Sequence, residues 1–324
     1  VSRIALDAMG GDHAPAETVA GGVAAAREGA DVLLVGDEST IRTELDKHAV
    51  SLPVHHASEV VGMGDDPARA LREKPASSVA VCARLVESGE AAGFVSAGST
   101  GAAMAAAAIV IGRISGVLRP TIASVFPTPG TPTVVLDSGA NPEVKPEHLY
   151  QFALMGAVLS EVYFGVIRPR IGLLNNGEES SKGRDLERST YRLLSDSPLN
   201  FIGNVEGRVI ATDAVDVIVT DGFTGNIFLK TTEGAGSLVA KLFTEALSDI
   251  APEVLSDVMV RIRPIIDKMD YENTGGAHLL GTRGVVVIAH GSSSRRAIAN
   301  ALRMARESAD HGLVSRIQEE IGRT

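Results

Sequence analysis

A chain of 324 residues with a formal net charge of −10 and a single cysteine is bounded before any motif is read. The length suits one large domain or two smaller ones, and the acidity argues against broad nucleic-acid binding, which needs a basic footprint. Cys82 alone excludes an internal disulfide and a multi-cysteine zinc site.

A 44% hydrophobic composition with 34 glycines and no tryptophan fits an α/β protein with many tight turns. No apolar run is long enough, without a charge or a break, to predict a transmembrane helix. The chain enters a strand at once, without the basic, apolar and cleavage regions of a signal peptide. The cytoplasm is the expected compartment.

In chain order, Ile4–Met9 reads as a short buried strand. Gly10, Gly11, Asp12 and His13 follow, and Pro15 suits the first turn of a helix to about Glu28. The plain reading of Asp12 and His13 is helix capping. Asp31–Val35 is a strand, Ser39–Lys47 a helix and Pro53–His56 a short strand. This rhythm predicts a parallel sheet covered by helices. His55 and His56 are adjacent, so they face opposite ways and bind no metal together.

Asp65 and Asp66 open a short helix at Pro67. Its Arg69, Arg72 and Lys74 are either a solvated face or a basic lip over an anionic substrate. Ser77–Ser88 is an amphipathic helix in which Cys82 reads as a small core residue. Ala91–Val95 is a strand that runs into Ser96, Gly98, Ser99, Thr100 and Gly101, and then into a helix, Ala102–Ile111. Such a turn offers unpaired N–H groups to an anion.

Arg119 precedes strands at Ile122–Phe126 and Thr133–Leu136. The second of these ends in a loop reaching Asn141. A long helix, His148–Tyr163, leads to a strand at Arg170–Leu174 and a polar loop carrying Glu178 and Lys182. A helix (Arg184–Leu194) and a short strand near Phe201–Gly203 come next. Val215–Thr220 is a β-branched strand ending in Asp221, Gly222 and Asn226, with a helix through Thr232–Leu247. Val285–Ala289 is the last strand, followed by His290, Ser292 and Ser293 and a helix to about Ala309.

Six strands thus end in glycine plus Asp, Asn, Ser or His. In open α/β sheets ligands bind beyond the carboxyl ends of strands, so these six loops are expected to converge on one cleft. No Walker motif, Rossmann fingerprint, nucleophile elbow or paired-histidine helix is present. Nothing in the sequence requires a metal or an organic cofactor. What remains is a set of anion-binding loops with polar tips.

The segments 9–15 (MGGDHAP), 96–102 (SAGSTGA), 137–141 (DSGAN), 172–178 (GLLNNGE), 182–183 (KG), 201–206 (FIGNVE), 220–226 (TDGFTGN), 229–230 (LK), 275–277 (GGA) and 290–293 (HGSS) occur in this order. Together they resemble the phosphate acyltransferases of bacterial phospholipid synthesis, the PlsX family, over about residues 3 to 310. The resemblance implies acyl transfer from an acyl carrier protein thioester to inorganic phosphate, giving acyl phosphate. It also implies a three-layer α/β/α sandwich of the isocitrate/isopropylmalate dehydrogenase and phosphotransacetylase type, a single domain over 1–324, and a homodimer. At Ser99 the sequence departs from the family, which usually has asparagine there.

For that reaction Lys182 and the backbone N–H groups of Ser99–Gly101 and Ser292–Ser293 are expected to hold phosphate. Asn226 serves the carbonyl or orients phosphate, Asp221 orients Lys182 or caps a helix, and His290 protonates the leaving thiolate. Gly10, Gly11, Asp12, His13, Ser96, Gly98, Arg119, Asn141, Glu178 and Gly222 complete the expected substrate contacts.

An amphipathic segment protrudes at about 248–272. Within Ala251–Met269, Leu255, Val258, Met259, Ile262, Ile266 and Met269 share a face, Arg261, Arg263 and Lys268 add charge, and Pro264 should kink the helix. It is either a packing helix or a membrane-surface helix, and the resemblance favours the second. An acidic carrier protein would meet Arg69, Arg72 and Lys74, or Arg295, Arg296, Arg303 and Arg306. A dehydrogenase on the same fold and a catalytically silent scaffold are the alternatives.

Overall fold

The computed structural model describes residues 2–128, 130–247, 252–269, 272 and 275–323. Eleven strands form one sheet: β1 (Arg3–Asp7), β2 (Asp31–Gly36), β3 (Val54–His56), β4 (Gly93–Ser96), β5 (Thr121–Phe126), β6 (Thr133–Leu136), β7 (Ile171–Leu174), β8 (Phe201–Val205), β9 (Val217–Val219), β10 (Ala277–Leu280) and β11 (Val285–Ile288). Their order is β3-β2-β1-β4-β11-β10-β5-β6-β9-β7-β8.

The sheet is mixed, not parallel throughout. β3, β2, β1, β4 and β11 run one way. β10 is antiparallel to β11 and β5, and β5 is antiparallel to β6. β6, β9, β7 and β8 are mutually parallel, so they run opposite to the first block. The reversal comes from the antiparallel pairing of β5 with β6. β10, a four-residue strand where the sequence predicts none, is antiparallel to both neighbours and so leaves β5 running with the first block. A hairpin joins β10 to β11, and a hairpin needs no crossover helix.

Helices α1 (Ala16–Arg27), α2 (Glu38–Lys47), α3 (Pro67–Glu73), α4 (Ser78–Glu87), α5 (Thr100–Ala106), α6 (Pro146–Phe164), α7 (Asp185–Ser195), α8 (Gly222–Ala246), α9 (Pro252–Met269), α10 (Arg295–Asp310) and α11 (Leu313–Gly322) follow the strands. The last of these lies beyond the expected end of helix near Ala309. A π turn, Ala107–Ile111, continues α5.

Alternation along the strands decides what each face buries. Ala5, Phe94, Ile122, Leu279 and Ile288 pack under α4 and α5, with Cys82 fully buried among them. Val135, Ile218 and Phe126 share that face and meet only the base of α8 and a short 3-10 turn. The other face is covered along its length. There Leu6, Val95 and Val287 pack against α1 and α10, and Leu136, Val217 and Leu280 against α6 and α11. The first face is therefore open between α5 and α8, above β10 and β5.

α8 stands out from that face. Its buried residues are Gly222 and Gly225, both in the first turn, while Leu238, Val239, Leu242 and Phe243 are exposed. α9 runs without interruption past position 264. Residues 248–251, 270 and 271 of the expected protrusion lie outside the described residues. Among the described residues no helix is long and apolar enough to cross a membrane.

Candidate active site

The six polar loops do not meet at one edge of the sheet. Those after β1, β4 and β11 leave one edge, and those after β6, β7 and β9 leave the other. β10 and β5 stand between the two sets. Both sets border the open face. The expectation of a single convergence fails because the second block of strands is reversed.

The first set is built around Asp7, fully buried at the end of β1. Ser96 Oγ donates to its Oδ2 at 2.7 Å and in turn accepts from Gly98 N at 3.1 Å. Burial raises the carboxyl of Asp7, against the hydrogen bonds it accepts from Ser78, Ser96 and the Met9 and Gly10 backbone. Gly10 and Gly11 lie against Gly98 and Ala97. Asp12 N donates to Gly291 O at 2.8 Å, so this loop is tied to the loop after β11. Neither Asp12 nor His13 caps α1, whose N-cap is Pro15. Ser99 Oγ caps α5 by accepting from Ala102 N, with Thr100 and Gly101 in the first turn. His290 Nδ1 lies 2.8 Å from Ser292 Oγ. Ser293 N donates to His290 O.

The second set is built around Asp137, fully buried at the end of β6. Its carboxylate accepts from the backbone N of Ile122, Gly139, Ala140 and Asn141 at 2.7–3.2 Å, and from Asn141 Nδ2 at 2.8 Å. Burial pushes this carboxyl up as well, and the hydrogen bonds pull it part of the way back. Asn141 Nδ2 also reaches Pro120 O, next to Arg119. Asn141 O accepts from Gly222 N at 2.8 Å, which docks α8 on the loop.

Asn226 sits in the first turns of α8, not in the loop expected for it. The helix starts ten residues earlier than its sequence suggests. Gly222 and Gly225 look like breakers, but they are close-packing positions. A Cβ on Gly225 would stand 1.8 Å from Asp137 O. Asn226 is exposed and its side chain lies over Gly139.

Asp221 does not orient Lys182. It is the N-cap of α8, accepting from Thr224 N and Oγ1 at 2.8 Å, and it pairs with Arg184 Nη2 at 2.6 Å. Burial works to raise its carboxyl, but those bonds outweigh burial and hold it below the usual carboxylate range. A depressed carboxyl stabilises the fold above its ordinary range and loses that contribution as pH falls through the folded value. Asp221→Asn is therefore expected to cost about 2 kcal/mol at neutral pH. The gap to wild type should close on acidification, which urea unfolding at two pH values will read.

Lys182 is half exposed and its nearest acid, Glu179, is 3.9 Å away. Glu178 faces Arg208 at 3.7 Å, at the surface. Four of the seven basic side chains offered for a carrier protein already pair with acids. Arg69 pairs with Glu73, Lys74 with Asp65, Arg295 with Glu17 and Arg303 with Glu28. Among the described residues no cluster of three or more His, Cys, Asp or Glu is placed to hold a metal ion.

The structure thus brings Arg119, Asn141, Glu178, Lys182, Asp221, Gly222 and Asn226 to one edge. It brings Gly10–His13, Ser96–Gly101 and His290–Ser293 to the other. Sequence reasoning missed Asp7, Asp137, Arg184 and Gly225. The two buried acids had a signal: each follows a leucine at the end of a strand and is followed within three residues by a glycine.

This architecture is shared with phosphotransacetylases. The Streptococcus pyogenes phosphotransacetylase superposes with a TM-score of 0.65 at 17% identity, covering 95% of this chain and 94% of that one. The 4-hydroxythreonine-4-phosphate dehydrogenase of Klebsiella pneumoniae gives 0.56 at 13%, covering 95% and 100%. The fatty acid synthesis protein family matches residues 2–316. The phosphate acyltransferase of Geobacter sulfurreducens is 47% identical over 325 residues, 98% of this chain and 94% of that one. That of Desulfitobacterium hafniense strain DCB-2 is 46% identical over 327 residues, 99% and 98%. The chain belongs to this phosphate acyltransferase family. Membership makes it an enzyme, a transferase.

Proposed function

We propose that the enzyme transfers a fatty acyl group from an acyl carrier protein thioester to inorganic phosphate, in bacterial phospholipid synthesis. The observation that carries the site assignment is at the β6–β9 edge. Asn226 lays its side chain over Gly139 of the Asp137 loop, and Lys182 is half exposed on the loop after β7, with Glu179 3.9 Å away.

A phosphate oxygen attacks the thioester carbonyl, and negative charge develops on the carbonyl oxygen. The carbon–sulfur bond then breaks, and the proton of hydrogen phosphate goes to the departing sulfur. The step balances without a protein nucleophile. Lys182 holds phosphate by charge, Asn226 donates to the carbonyl oxygen, and the docked first turn of α8 keeps that donor in place. His290 and the glycine loops at the other edge form a separate polar cradle. The test is phosphate-dependent release of free carrier-protein thiol. No release in the presence of phosphate would leave a silent scaffold on this fold.

Two surfaces extend the reading. Two copies are expected to associate through the exposed apolar residues of α8, and a one-chain mass in sedimentation would refute that. α9 is expected to dock on a membrane surface. Val254 and Val260 are exposed on it and Val258 is half-buried, while Arg261 and Arg263 add the charge that anionic headgroups attract. Val258→Asp should lower co-sedimentation with anionic liposomes several-fold. Undiminished binding would remove α9 from the membrane contact.

A further inference from the structure

Beside the Asp137 loop lies a cavity of about 430 Å³, a usual size for a small-molecule site. Met104 and Ala108 wall it from α5 and the π turn, Leu118 and Leu279 complete its apolar lining, and Arg119 and Asn141 supply its polar side. Arg113 also borders it, but its guanidinium donates to the carbonyls of Val117 and Leu118. Leu118 N donates to Gln151 Oε1 at 2.8 Å. These bonds fix the 117–120 wall. Asn141 is fixed by Asp137 and Pro120.

Arg119 is different. It is exposed, and among the described residues no hydrogen bond or ion pair holds its guanidinium. Its charge is felt at His148, which burial lowers first and Arg119 lowers further. An uncommitted cation at the rim of an apolar hollow matches one kind of ligand, an alkyl chain with an anionic head. A small anion would leave the walls wet, and a neutral lipid would leave Arg119 unmatched.

We infer that this cavity receives the acyl chain, with Arg119 joining Lys182 as a second cation for the phosphate head of the acyl phosphate, and that Ala108 sets the chain length accepted. The inference rests on the function proposed above. A methylene fills roughly the space of a water, about 30 Å³, so the cavity has room for on the order of a dozen carbons. Asn141 joins the cavity to the start of α8, and so to Asn226. The π turn matters because it carries an extra residue and re-aims the side chains around it, a device common at functional sites. Here Ala108 is exposed to the cavity, so a larger side chain there enters the hollow and not the core.

Each methylene forced back into water costs about fourfold in binding. Ala108→Phe is expected to lower kcat/KM for palmitoyl-carrier protein by about fifteenfold or more, with octanoyl-carrier protein changed less than twofold. Ala108→Leu should shift the same ratio by less. Direct binding of a fluorescent long-chain fatty acid should weaken in both variants. An unchanged palmitoyl-to-octanoyl ratio in an active variant overturns the cavity assignment and leaves the function standing. A wild-type enzyme inactive on both donors overturns the function. Fatty-acid binding unaltered by Ala108→Phe overturns the cavity assignment whatever the activity.

Discussion

Lys182→Ala and Asn226→Ala are each expected to lower kcat/KM for acyl phosphate formation by about 10²–10³-fold, with unfolding midpoints unchanged. The size is that of one electrostatic donor lost from a transition state, about 3–4 kcal/mol. Stability should hold because neither side chain is buried. Among the described residues the acid paired with Lys182 is a surface carboxylate at 3.9 Å, and such pairs contribute little. Thiol release at varied phosphate separates the two roles. Lys182→Ala should raise the KM for phosphate, whereas Asn226→Ala should act mainly on kcat. Wild-type rates in both variants would move the reaction away from this edge. His290→Ala is the informative companion. A loss of equal size there would show that the two edges meet, through a second copy of the chain.

Gly225→Ala should be nearly as damaging, by a different route. The new methyl would overlap the Asp137 carbonyl, at 1.8 Å, and would crowd Thr220. Those atoms are backbone at the end of β6 and a buried side chain at the end of β9, so they have little room to move. α8 must back away, and Asn226 is the next residue along it. The expected cost is about 3 kcal/mol of stability, at the upper end for overpacking, together with at least about a tenfold loss of activity from displaced geometry. Gly234→Ala in the same helix is the control. Nothing lies within 4 Å of its Cβ position, so helix propensity alone should stabilise it by about 0.5–1 kcal/mol. Thermal unfolding of the pair will read both. Equal behaviour of the two variants would mean that the contact at Gly225 does not fix α8.

Much of the fold was legible because the periodicities are strong. The β-branched stretch 215–220 and the alanine-rich helix after Pro15 fall where their patterns place them, to within two or three residues. Strand direction was not legible. Whether a strand joins by hairpin or by crossover depends on a short segment such as Ala277–Leu280, whose four residues carry no period. The antiparallel pairing of Thr121–Phe126 with Thr133–Leu136 then reverses half the sheet, and so divides loops that look alike in sequence. The start of α8 was hidden for the opposite reason. Gly222 and Gly225 argue locally against helix, and only their approach to Asn141 and Asp137 shows why they are there. The proposed site residues Lys182, Asn226, Asn141 and Asp221 were visible as polar loop tips. The acids that hold the loops rigid carried only the signal of a leucine before and a glycine after, because a buried carboxylate and an exposed one otherwise look the same in sequence.

The position of β11 has a consequence for how the chain is made. β11 lies between β4 and β10, yet it arrives roughly 190 residues after β4. At translation rates of about 5–20 residues per second, the first half-sheet waits for on the order of ten to forty seconds with β4 as an open edge. An unpaired strand edge invites pairing with other chains. Nascent chains halted before residue 277 should therefore be aggregation-prone and protease-sensitive, and those extended through α10 should not. A late strand that closes an early sheet makes chaperone demand peak in the middle of synthesis.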